Sequence, residues 1–140
     1  MNALRECFNN IVHNLPSKHQ YTEANYQNAL CWMLSQYGTV QKEVTINYSF
    51  DAQTPGEGKD LMPVVFGSGR IDVLFRPYNS DTTFLLELKI SPKPYRINNY
   101  FPQVHRYLHH FRRASDEKVR GVLICFSAYG SQCVSVPEEL

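Results

Sequence analysis

Residues 118–126 (Lys-Val-Arg-Gly-Val-Leu-Ile-Cys-Phe) read as a strand apolar enough to lie mid-sheet, buried on both faces. They follow a segment with helical spacing, about residues 100–113, whose first turn tolerates Pro102. Ahead of that helix lies another apolar strand, residues 83–90 (Thr-Phe-Leu-Leu-Glu-Leu-Lys-Ile), and Pro92 and Pro94 break the pattern after it. A strand that returns through a helix joins its own sheet by a right-handed crossover. This strand–helix–strand unit restricts the chain to α/β architectures.

The remaining segments fill in that frame. Residues 70–76 (Arg-Ile-Asp-Val-Leu-Phe-Arg) form a strand, and the turn at 77–81 makes it an antiparallel hairpin with 83–90. An earlier strand spans roughly 39–50, with Val40, Val44 and Ile46 alternating against Gln41, Glu43 and Thr45. Residues 51–62, with Pro55, Gly56 and Gly58, are a polar loop. Two helices come first. Over 2–14, Leu4, Phe8, Ile11 and Val12 fall near one face, with Asn2 as cap and Pro16 as stop. Over 23–37, Thr22 is the N-cap, Gly38 the stop, and Tyr26, Leu30, Met33, Leu34 and Tyr37 the apolar seam. Glu23 falls on that seam, at the buried side of the helix's N-terminal end. The expected fold is a single α/β domain over residues 1–140. Its central four-stranded mixed sheet is flanked by helices in the order α-α-β-β-β-α-β.

A chain of 140 residues with 43% hydrophobic content can bury one real core. The formal net charge of +1 excludes a strongly basic nucleic-acid footprint. It leaves room for a site whose carboxylates cancel basic residues elsewhere. Cys7, Cys31, Cys125 and Cys133 form no C-x-x-C pair and read as reduced, mostly buried thiols. With no apolar leader at the N-terminus, the expected location is intracellular, cytoplasmic or nuclear.

Charge placement within the hairpin points to chemistry. Leu85, Glu87 and Lys89 share one face of an otherwise apolar strand, and Asp72 and Leu74 share a face of its partner, opposite Ile71, Val73 and Phe75. Charges rarely sit in apolar strands unless paired or bound to metal. Two carboxylates on adjacent strands can meet at one point. Oxygen-only ligands select a hard cation such as Mg²⁺ or Mn²⁺, which binds a phosphate oxygen and activates water. Lys89, two residues after Glu87, can reach the same phosphate or water. The plain structural reading is a surface ion pair of Asp72 with Lys89, leaving Glu87 solvated.

With Gly69-Arg70-Ile71-Asp72 followed by Glu87-Leu88-Lys89, the chain resembles the PD-(D/E)XK nuclease superfamily over roughly residues 22–127. Ile71 stands where the motif's name has proline. Gln103 and Tyr107, four apart on one helix face, resemble the Q-x-x-x-Y motif of the exonuclease-like branch. The resemblance implies a restriction-endonuclease-like core and metal-dependent hydrolysis of nucleic acid, DNA more than RNA. It implies Asp72 and Glu87 as ligands of Mg²⁺ or Mn²⁺, with the Leu88 carbonyl as a further ligand. Lys89 would position water or phosphate, and Gln103 and Tyr107 the backbone. Glu23 matches a helix glutamate that often completes the metal shell, and Glu43 resembles another recurring acid. The rivals are a nuclease-fold nucleic-acid-binding module without chemistry and a protein-interaction domain.

Other features weigh less. His105, His109 and His110 lack H-E-x-x-H spacing and read as part of a basic face with Arg106, Arg112 and Arg113. That face, with Lys93 and Arg96, suits a phosphate backbone, and Tyr95, Tyr100 and Phe101 suit stacking on unpaired bases or ordinary packing. Gly67-Ser68-Gly69 is no P-loop and reads as a tight lead into the strand. A homodimer would help so small a domain grip duplex DNA. Substrate form, endo or exo cleavage and sequence preference stay open.

Overall fold

The structure is a computed structural model describing residues 2–15, 21–51 and 64–139, with backbone alone for 47–51 and 64–68. Two helices, α1 (Asn2–Asn14) and α2 (Glu23–Leu34), precede three strands, β1 (Gly38–Asp51), β2 (Val64–Pro77) and β3 (Thr82–Ser91). A 3₁₀ turn (Ile97–Tyr100) leads into helix α3 (Phe101–Ala114), followed by β4 (Lys118–Ser127) and β5 (Gln132–Ser135). The sheet runs β1-β2-β3-β4-β5 and is mixed. β3 and β4 are parallel, joined through α3, and the other neighbours are antiparallel. The sheet therefore has five strands rather than the expected four. Pro16 and residues 52–63, most of the expected polar loop, lie outside the described residues.

Helices cover both faces of the sheet. On one, Leu4, Phe8 and Ile11 of α1 and Tyr26, Leu30 and Leu34 of α2 pack on Val73, Phe75, Leu86, Leu88, Val122, Ile124 and Phe126. Tyr26 stacks on Phe126 with ring centroids 4.3 Å apart. On the other, Val104, Tyr107 and Leu108 of α3 pack on Leu74, Leu85, Val119 and Leu123. Gly121 lets α3 this close, since an added Cβ would sit 2.7 Å from the Val104 side chain. Three periodicity readings need correction. Val12 faces solvent, Tyr37 lies beyond the end of α2 and is exposed, and Glu23 is exposed at the start of α2. Thr22 does cap α2, in a reciprocal pairing with Asn25. All four cysteines are free and buried. Among the described residues, no helix is long and apolar enough to cross a membrane.

The largest departure from simple alternation lies in β1 and β2. Val40 packs with α1 and α2, whereas Val44 and Ile46, of the same parity, pack with α3. Likewise Ile71 joins Leu74 on the α3 side, instead of Val73 and Phe75 as alternation predicts. Both changes of face meet at one place. Glu43 has φ +54°, and the β1–β2 register passes from Lys42↔Val73 to Val44↔Ile71 with no pairing of Glu43 to Asp72. A residue in the left-handed region turns the pleat and resets which side chains face which layer. Glu43→Gly is therefore expected to leave stability unchanged or raise it by up to about 1 kcal/mol, and Glu43→Val to lower it by about 1–2 kcal/mol. Urea denaturation measures both; equal effects would rule out backbone strain at this position.

The β2–β3 ladder is short as well. It runs Val73↔Leu86, Leu74↔Leu85, Phe75↔Phe84 and then stops. One more step would set Asp72 opposite Glu87. Beyond the other end of the ladder the structure is clamped: Arg76 Nε donates to Glu117 Oε1 at 2.6 Å, and Thr83 Oγ1 to the same oxygen at 2.8 Å. The strands thus part at the acids and stay joined at the far end.

Candidate active site

Asp72 sits in the fork between β2 and β3. Its Oδ2 accepts the Leu88 N–H at 2.8 Å, so the side chain reaches across to β3, bonding an amide that a continued ladder would otherwise engage. Its own backbone carbonyl accepts from Gln27 Nε2 of α2 at 2.9 Å. Burial raises the Asp72 pKa, opposed by the Leu88 N–H and by Lys89.

Glu87 is only 4% exposed. Its Oε2 is buried with no hydrogen-bond partner, while Lys89 Nζ stands 3.5 Å from Oε1. Burial first, then the Asp72 charge, pushes the Glu87 pKa up to about 8. The plain structural reading fails here: Lys89 pairs with Glu87, and Glu87 is not solvated. Lys89 also stands over the Tyr100 ring, 5.7 Å from its centroid.

A buried carboxylate oxygen without a donor is costly unless a cation or proton meets it. Two carboxyls held together on parting strands, with one such oxygen, fit a hard divalent cation that takes oxygen ligands. Asp72 and Glu87 form the acid pair; among the described residues no group of three or more His, Cys, Asp and Glu side chains is placed to hold a metal. Glu23 lies within electrostatic reach: burial raises its carboxyl pKa, Asp72 adds to the rise, and Lys89 and Arg70 oppose it. Glu43 is exposed on the turned pleat opposite Asp72.

Helix α3 forms the next wall. Gln103 Nε2 donates to Tyr107 Oη at 3.2 Å, joining the two motif residues. The Tyr107 ring lies on Gly69, where an added Cβ would fall 2.5 Å from a ring carbon. Gly69 is thus needed for a close approach between α3 and β2, not for a tight lead into the strand. Arg106 is exposed and stands over the Tyr107 ring at 5.7 Å. Lys93 and Arg96 are exposed between β3 and α3. Part of the supposed basic face is tied down instead: Arg112 donates to the Val119 carbonyl at 2.8 Å and to Glu138 at 3.0 Å, and His105 Nε2 meets the Pro137 carbonyl. Sequence reasoning passed over Gln27; its one signal was a polar residue a helical turn after Glu23.

Two solved structures were found to be similar to this chain. The crystal structure of SSO0001 has a TM-score of 0.54 and 18% identity, covering 84% of this chain and 49% of its own. A provisionally named exonuclease from Eubacterium rectale has a TM-score of 0.42 and 12% identity, covering 96% of this chain and 55% of its own. The chain therefore spans about half the length of these solved structures. No family model and no curated protein matches it. The likeness to SSO0001 shows the fold: a mixed five-stranded sheet flanked by helices.

Proposed function

We propose that this chain is a metal-dependent nuclease of the PD-(D/E)XK type, hydrolysing phosphodiester bonds of nucleic acid, with DNA as the proposed substrate. The observation that carries the reading is the pairing of Asp72 and Glu87 at the parting of β2 and β3, with an orphan buried oxygen on Glu87 and Lys89 beside it. Asp72 and Glu87 would hold Mg²⁺ or Mn²⁺, with the Leu88 carbonyl as a further ligand and Glu23 reaching it through water. Glu43 is the weakest candidate, since its backbone turns it to the surface. The bound ion supplies a Lewis acid for the phosphate and a lower pKa for water.

The chain's own groups do the rest. Asp72, fixed through Oδ2 by the Leu88 N–H, would turn its carboxylate to the ion. Lys89 offers a proton donor and positive charge where negative charge builds on the phosphate. Gln103 and Tyr107 present an amide and a hydroxyl, already bonded to each other, to a backbone phosphate or strand end. Lys93, Arg96 and Arg106 provide exposed positive charge for the flanking phosphates.

The test is a cleavage assay with Mg²⁺ and Mn²⁺ on linear, circular, single-stranded, four-way-junction and RNA substrates. Asp72→Ala is expected to lower cleavage by about 10³-fold or more while the protein stays folded by circular dichroism. A fully active Asp72→Ala protein would falsify the assignment. Cleavage absent from every substrate, with no carboxylate-dependent metal binding, would favour the binding-module reading.

A further inference from the structure

We infer that Gln27 is a positioning residue for the acid pair: its amide holds the Asp72 backbone at the point where both neighbouring strands let go of it. The inference rests on the metal-nuclease reading and extends it to a residue on α2. Asp72 is in register with neither neighbour. Its pairing to Glu43 is skipped on the β1 side, and the β3 ladder ends one residue earlier, at Val73↔Leu86. A strand residue that is unpaired on both sides is free to rotate its peptide planes, and its carbonyl needs a donor. Gln27 Nε2 supplies one at 2.9 Å.

The geometry links this bond to the site. With the carbonyl anchored to α2, the Asp72 side chain is directed toward β3, where Oδ2 takes the Leu88 N–H at 2.8 Å. Gln27 lies one helical turn after Glu23, on the same side of α2. The same helix face therefore carries the amide that fixes Asp72 and the carboxyl that feels its charge. The Gln27 amide donates to the backbone carbonyl of Asp72 and so acts on the acid pair through that backbone. The turned pleat at Glu43 supplies the reason for such a support: freeing Asp72 from the ladder lets it reach β3, and that freedom has to be limited again.

The test uses Gln27→Leu, which keeps the volume and removes the donor, Gln27→Ala as a second removal, and Gln27→His, which restores a neutral donor. Mn²⁺ affinity is measured by titration, and hydrogen exchange at the Leu88 amide is measured in metal-free protein, with Leu123 as a core reference. The expected result is Mn²⁺ binding weakened about 10- to 100-fold in Gln27→Leu and Gln27→Ala. Leu88 exchange should be faster with Leu123 unchanged, and Gln27→His should recover both. Unchanged Leu88 exchange, or an equal loss of protection at Leu88 and Leu123, would overturn the inference. Asp72→Ala is the control. If Mn²⁺ still binds there as in the wild type, the metal reading fails, and Leu88 exchange alone judges Gln27.

Discussion

Glu87→Gln should make the metal-free protein more stable at alkaline pH and, at the same time, deaf to Mg²⁺. Glu87 is buried against Asp72, with its pKa pushed up to about 8 from an ordinary 4.5, by burial first and by Asp72 second. A raised carboxyl pKa means that the folded state holds the proton more tightly than the unfolded chain does. The contribution to stability is therefore full below pH 4.5 and is lost as pH rises through about 8. A neutral glutamine of the same shape escapes that loss. Metal-free wild type and Glu87→Gln should unfold alike near pH 5, and at pH 9 the variant should lead by on the order of 2 kcal/mol. On the proposed metal reading, saturating Mg²⁺ should reverse the order, because it would bind only the wild type; a concentration a hundred times its Kd would add about 2.7 kcal/mol. Thermal and urea unfolding at the two pH values, with and without Mg²⁺, read all of this. A Glu87→Gln protein that gains nothing at pH 9, or that Mg²⁺ stabilises as much as wild type, sinks the idea that Glu87 is a strained metal ligand.

That strain was partly legible in the sequence. Two charges on one face of residues 83–90 stand out because apolar runs rarely contain them, and the structure buries Glu87 as that pattern demands. The helices and the strands β1 to β4 were legible for the same reason: apolar spacing reports which side of an element is covered. What spacing cannot report is a change in the backbone itself. Alternation along β1 and β2 assumes that each residue turns the pleat by the same amount. One residue with φ +54° breaks that assumption and moves Ile71, Val44 and Ile46 to the α3 side. Burial is also relative to what lies above. Glu23 occupies a seam position, but the buried part of the α2 seam begins at Tyr26, and Glu23 is exposed.

The fifth strand escaped for a different reason. β5 has four residues, and only Cys133 among them is buried, so it carries no repeat to detect. Its place beside β4 comes from the turn before it, where Gly130 adopts φ +119° and Tyr95 Oη bonds its carbonyl at 2.6 Å. Gln27 left still less trace, because its partner is a peptide carbonyl and its role is independent of the partner's side chain. Asp72 was legible as an acid near Glu87, whereas its bond to the Leu88 N–H depends on a ladder that stops one step short.

Removing the charge of Lys89 should separate chemistry from metal binding. Its ammonium is 3.5 Å from Glu87 and rests over Tyr100 with a quarter of its side chain exposed, at 26%. It is thus held at the site without being buried in it, and on the proposed nuclease reading an incoming phosphate would displace Glu87 as its partner. A cation placed where charge develops acts mainly in the transition state, so its loss should appear in kcat and little in KM. Lys89→Met keeps most of the side-chain length without the charge and is expected to lower kcat by about 10²- to 10³-fold, the usual effect of losing one charge-stabilising donor. Mg²⁺ should still stabilise this variant, because both carboxylates remain, which sets it apart from Glu87→Gln. Lys89→Arg restores the charge on a wider, planar head group and should recover only part of the rate. Steady-state cleavage kinetics, paired with unfolding in Mg²⁺, measure both quantities on the same preparations. If Lys89→Met cleaves at nearly the wild-type rate, the ammonium serves only to neutralise Glu87, and the positive charge for the phosphate must come from Arg70, Arg106 or a second ion.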